Sequence, residues 1–158
     1  VLLQTMMDRI DPITWTPYLT KDIFPGGPAK RSILMQVGIG DDQVPNLASH
    51  LQARSFDAPR LAPAPRELWG LPATEGPLDS ALTEWDFGIE PPDTYATLNS
   101  RGNIVHEGVR RAPAAMEQID AFLRPGGKIR QTCKDAEGRP AACRCTKDAN
   151  DTCGSEAD

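Results

Sequence analysis

"ILMQVGIGDDQVP", residues 33–45, decides how the rest of the chain is read. Ile33, Leu34, Met35, Val37 and Ile39 form an apolar run without alternation, which predicts a strand covered on both faces, as in a parallel sheet. The run then breaks into Gly38, Gly40 and two adjacent carboxylates, Asp41 and Asp42. A loop that only had to turn could manage with the glycines and one polar residue. The second carboxylate therefore asks for a chemical reason. Beyond it, Pro45 suits the first turn of a helix, and "PNLASHLQARSF" (45–56) is expected to form one with Leu47, Leu51 and Phe56 on one face.

On the N-terminal side, "VLLQTMMDR" (1–9) carries Leu2, Leu3, Met6 and Met7 at helical spacing, and Asp11-Pro12 stops it. "ITWTPYLTKDIF" predicts one helical turn or a short helix, and "PGGPAK" (25–30) a loop. On the C-terminal side, "DAPRLAPAPRELWGLPATEGP" (57–77) is a proline-rich excursion, expected to be ordered only by packing on its neighbours. "SALTEWDFG" (80–88) alternates: Ala81, Thr83, Trp85 and Phe87 share one face, and Glu84 and Asp86 share a partly wet one. That pattern predicts a strand near a sheet edge, with Trp85, like Trp69, a packing residue. A loop from 88 to 105 leads to His106, and "APAAMEQIDAFLRPGG" (112–127) reads as a helix opened by Pro113 and stopped by Pro-Gly-Gly. No internal repeat is present.

The order is strand, acid loop, helix, excursion, strand, histidine loop, helix. Strands alternating with helices imply right-handed crossovers and a parallel sheet, an α/β fold. Chemistry in such sheets gathers at the carboxyl ends of the strands. Asp41 and His106 each follow a predicted strand, so one sheet edge can bring them together although 65 residues separate them.

At 158 residues the chain has the size of one domain with a single core. Its net charge is −5 and its 17 basic residues are scattered, which argues against nucleic acid as a partner. No apolar run approaches the roughly 20 residues of a membrane helix, so no transmembrane segment is expected. The chain begins at Val1 in what reads as mid-helix, without the zones of a secretory signal, and is expected to be a piece of a longer protein. Cys133, Cys143, Cys145 and Cys153 crowd the last 26 residues. They predict one or two disulfides and an extracytoplasmic location. The rival is a four-thiolate metal site, although Cys143-x-Cys145 lacks the C-x₂-C spacing of common zinc modules. Asp148, Asn150 and Asp151 hint at a calcium loop, but its closing Glu is missing. No metal and no cofactor is expected.

A histidine acting as general base needs one nitrogen free toward a nucleophile and a carboxylate behind the other. His106 is the candidate base and Asp41 the candidate acid; Asp42 is second choice, or supports the turn or caps the next helix. His50 lies within a helix, where a surface or packing role is expected, and Glu84 and Asp86 are expected at the surface.

With those residues in place, the order resembles the C-terminal part of an α/β-hydrolase, in which an acid follows a late strand and a histidine follows the last one. Gly38, Asp41, Val44 and Pro45 stand in the register of that family's acid loop. His106, in "NIVHEGV", stands where its histidine would, ahead of a helix. Residues 1–127 look like secreted bacterial lipase- or esterase-like members, and 128–158 form a Cys-rich, disulfide-stapled tail. The resemblance implies catalytic roles for Asp41 and His106 and a small-molecule or lipid ester as substrate.

The chain also departs from the family. It has no G-x-S-x-G and no His-Gly-Gly-Gly loop, and Ser32, Ser49, Ser55, Ser80, Ser100 and Ser155 lack the flanking glycines of a nucleophile elbow. The serine is then expected upstream of Val1, in the missing N-terminal half of the same domain, and the isolated chain is expected to be inactive. Alone it should also expose apolar surface and aggregate or stay partly molten. The alternatives are a non-catalytic secreted α/β binding or structural module, and a peptidase of the same fold.

Overall fold

The structure is a computed structural model that describes residues 2–21, 25–27, 31–89 and 104–145. Three short helices come first: α1 (Leu2–Met7), α2 (Pro12–Trp15) and α3 (Pro17–Thr20). Asp11 starts the second of them, its carboxylate accepting a hydrogen bond from the Ile13 N–H at 3.0 Å. Pro12 occupies a first-turn position, where a missing N–H leaves no bond unmade. Then follow β1 (Leu34–Gly38), α4 (Asn46–Phe56), β2 (Arg60–Ala62), β3 (Ala73–Glu75), β4 (Ala81–Asp86), α5 (Val105–Arg111), α6 (Pro113–Leu123) and β5 (Cys143–Arg144).

All the strand pairings are parallel, so the expected α/β architecture is present. β4 lies at the centre. β1 runs along one side of it, from Leu34 opposite Ala81 to Gly38 opposite Trp85. The other side is shared: β2 meets its start at Leu82, β5 meets its end at Trp85 and Asp86, and β3 lies outside β2. The second edge of β1 pairs with no strand among the described residues. Helices cover both faces. Val37 and Leu82 pack with Ala53 of α4, while Trp85 packs on the opposite face with Val105, Val109 and Ala115 of α5 and α6.

Four readings are corrected. β4 is a central strand rather than one near an edge, and Glu84 is 2% exposed instead of wet. Its face is roofed by α4, whose His50 answers the carboxylate together with Arg66. On α4 the buried residues are Ser49, Ala53 and Phe56, whereas Leu47 and Leu51 are exposed. The inward face of α4 carries Ser49, Ala53 and Phe56, with His50 on Glu84, and its leucines turn outward. α6 repeats this, burying Ala115 and Gln118 and exposing Met116 and Leu123. Finally, the proline-rich excursion carries two short parallel strands, β2 and β3.

The segment after α6 returns to the sheet. Leu78 and Ile129 exchange both backbone hydrogen bonds, at 2.9 and 2.8 Å, and Ile129 is fully buried. A Cys133–Cys143 disulfide then closes a turn in which Asp135 accepts the Glu137 and Arg139 N–H groups. Both sulfurs lie in the core beside Trp85 and Phe87. The disulfide consumes two of the four thiolates that the rival metal site would need, so that site is not formed. Cys145 is also disulfide-bonded. Cys153, Asp148, Asn150 and Asp151 lie outside the described residues.

Among the described residues no helix is long and apolar enough to cross a membrane, and no three His, Cys, Asp or Glu side chains are grouped to hold a metal ion.

Candidate active site

The site begins where β1 runs out. Gly38 must be glycine, because a Cβ there would overlap the Val105 side chain of α5. Gly40 adopts φ +78°, a left-handed conformation that glycine reaches without steric cost. Asn46, at the start of α4, pins this loop from below. Its Oδ1 accepts the Gly40 N–H at 2.8 Å, and its Nδ2 donates to the Gly38 carbonyl at 2.6 Å.

Asp41 is thereby held with its carboxylate folded over its own turn. Oδ1 accepts the backbone N–H groups of Gln43 (2.8 Å) and Val44 (3.0 Å). The same carboxylate meets Nδ1 of His106, 3.0 Å from Oδ2 and 3.2 Å from Oδ1. Both side chains are largely buried, at 11% and 14% exposure. Asp41 thus closes the turn and orients an imidazole at once. Asp42, next in the chain, is buried.

His106 belongs to the first turn of α5, where sequence reading expected a loop. α5 can lie against the strand ends because a second glycine faces the sheet. A Cβ on Gly108 would come within 2.7 Å of the Phe87 ring. One turn beyond His106, Arg110 Nη2 lies 2.7 Å from Nε2 of the ring. A guanidinium can only donate, so Nε2 is the acceptor and the ring proton is on Nδ1, donated to Asp41. A general base with its carboxylate behind it requires this tautomer.

Beside the pair lies a cleft of about 220 Å³, lined by Gln36, Gly38, Asp41, Ser49, His106 and Arg110 among others. Val37 also lines it, and Gln36 and Val37 point to opposite faces of the sheet. A cleft that touches both of them, and helices from both faces, wraps the edge of β1 that no described strand pairs. Ser49 places a hydroxyl on its wall, but within α4 and not on a strand-to-helix elbow.

A second carboxylate–imidazole pair lies deeper. His50 Nε2 is 3.3 Å from Glu84 Oε1, which also accepts Arg66 Nη2 at 2.6 Å and Nε at 3.0 Å. The Glu84 side chain is fully buried, and its Oε2 has no partner among the described residues. Burial is the largest influence on its carboxyl and alone would raise the pKa. The hydrogen bonds from His50 and Arg66, with the charge of Arg66, outweigh it and hold the carboxyl below its ordinary value.

Asp41 and His106, the pair expected from sequence, meet here, and Arg110 and Arg66 join the two pairs without a sequence expectation. The signal for Arg110 was its i,i+4 spacing from His106, visible only once 105–111 is read as helix. No protein-family model, curated protein or solved structure matches this chain.

Proposed function

We propose that this chain is the C-terminal segment of an extracytoplasmic serine hydrolase of carboxylic esters, lipase- or esterase-like. Asp41 orients His106, and His106 is the general base for a serine carried by polypeptide outside residues 1–158. The observation that carries this reading is the Asp41–His106 hydrogen bond beside a cleft at an edge of β1 that pairs with no strand among the described residues. A strand added to that edge would bring a nucleophile to Nε2 and roof the cleft. The exposed Val44, Leu47, Leu51 and Met116 side chains fit a surface that further chain covers. The Cys133–Cys143 disulfide fits an oxidising compartment.

The chemistry divides between two residues. As the serine oxygen bonds to the ester carbonyl carbon, its proton passes to Nε2, and Asp41 stabilises the imidazolium. The bond from the carbonyl carbon to the alkoxy oxygen then breaks, the alkoxide takes the proton from Nε2 and leaves as alcohol, and the acyl group stays on the serine. A water activated by the same nitrogen releases the acid and restores the serine. The oxyanion donors belong to the same added polypeptide as the serine.

A second reading, a secreted binding module, is favoured by one observation: Nε2 is occupied by Arg110 and not by a hydroxyl. Ester hydrolysis by the full-length gene product separates the two. Under the hydrolase reading His106→Ala lowers kcat/KM by about 10²–10⁴-fold. Unchanged turnover in that variant, or none in the parent on short- and long-acyl esters, overturns the reading.

A further inference from the structure

We infer that Arg110 is a positioning residue that guards the base, holding the Nε2 lone pair of His106 closed until an incoming hydroxyl displaces it. The inference rests on the proposed role of His106 and adds a device that controls when that role is available.

In a neutral imidazole whose proton is on Nδ1, Nε2 offers a single lone pair in the plane of the ring. That pair now accepts from Arg110 at 2.7 Å. A serine hydroxyl needs the same lone pair, so guanidinium and nucleophile exclude each other. The guanidinium also has a second partner close at hand: its Nη1 lies 3.3 Å from Glu107 Oε1. When pushed off the ring it keeps an ion pair and is not left stranded. His106, Glu107 and Arg110 all lie on α5, at spacings of three and four residues, so the device is local to one helix. Arg110 is 62% exposed in its side chain, free to swing and not built into the core.

A bare surface ion pair between Glu107 and Arg110 would leave the ring nitrogen as reactive as in any half-buried histidine. The guarding contact makes the opposite claim, and it can be read without turnover. Diethyl pyrocarbonate acylates an unprotonated imidazole nitrogen, and mass spectrometry of the modified full-length product reports His106 and His50 separately. Arg110→Ala is expected to speed modification at His106 about five- to tenfold, the occupancy that one modest hydrogen bond can enforce. His50, on a different helix, should keep its parent rate. Equal rates at His106 in parent and variant overturn the inference. If both histidines accelerate, the fold has loosened and Arg110→Met decides, because it keeps the stem and removes the guanidinium. Acceleration at His106 alone then supports the guard, and no acceleration there overturns it. The assay needs no nucleophile. Absent ester hydrolysis in the full-length product would therefore sink the hydrolase reading and leave this result standing.

Discussion

Asp41–His106 and Glu84–His50 are both carboxylate–imidazole pairs on one parallel sheet, and they differ in what answers the carboxylate and in what lies beyond the ring. Asp41 is met by two N–H groups of its own turn, and the far nitrogen of His106 accepts from Arg110 beside a cleft at the edge of β1 that pairs with no strand among the described residues. Glu84 is fully buried in the middle of the sheet and clamped by a permanent cation, Arg66. In the first pair the turn is closed by backbone N–H groups and does not depend on the ring. In the second, the carboxylate must stay ionised to keep its partners paired. Under the proposed function the same two groups would serve proton transfer at a strand end, whereas at the strand centre they hold helix to sheet.

That contrast can be broken in several ways. The largest effect should fall on activity: in the full-length product, His106→Ala costs about 10²–10⁴-fold while His50→Ala leaves kcat/KM within about twofold. Comparable losses from both would erase the distinction. Stability should sort the pairs the other way. Glu84→Ala leaves Arg66 and His50 facing an emptied site and is expected to cost about 3–5 kcal/mol in urea unfolding. Asp41→Ala, which gives up hydrogen bonds in a partly exposed turn, should cost about 1–2 kcal/mol. Removing the Cys133–Cys143 bridge by paired Ser substitution should cost about 2.5 kcal/mol, from the short loop it closes, and leave His106 reactivity unchanged.

Acid provides a subtler test. The folded Glu84 carboxyl titrates below its unfolded value of 4.5, so its stabilisation is complete above that value and is lost as pH falls through the folded one. The parent should therefore lose stability below about pH 4.5 more steeply than Glu84→Gln does. Parallel curves would mean that the buried pair contributes no such acid-side loss. The smallest expected effect is that of Ser49→Ala. It should leave hydrolysis within about twofold, because a hydroxyl inside α4 is not the attacking group. A loss comparable to that of His106→Ala would move the nucleophile into this chain.

How much of this was legible in the sequence follows from where each residue sits. Asp41 and His106 could be paired from sequence because apolar patterning breaks at strand ends, and each follows a strand whose end lies at the same side of the sheet. Glu84 could not: alternation with period two marks the face a residue points to, and a charged partner on that face looks the same as water. The true orientation of α4 was hidden because its contact with the sheet is made by Ser49 and Ala53, while Leu47 and Leu51 attract the eye. β2 and β3 are three residues each, set among prolines, too short for any period to show. Arg110 depended on α5, whose seven residues include a glycine that reads as a breaker until Phe87 is seen packed against it.

Under the proposed function Asp41 and His106 activate a serine carried by polypeptide outside residues 1–158. The most direct test of that role is to treat the full-length product with an alkyl fluorophosphonate, in which an activated serine oxygen displaces fluoride from phosphorus. One phosphonylated serine outside residues 1–158 is expected, with loss of that label in His106→Ala. Labelling that persists in His106→Ala, or a label on a serine within residues 1–158, would contradict it.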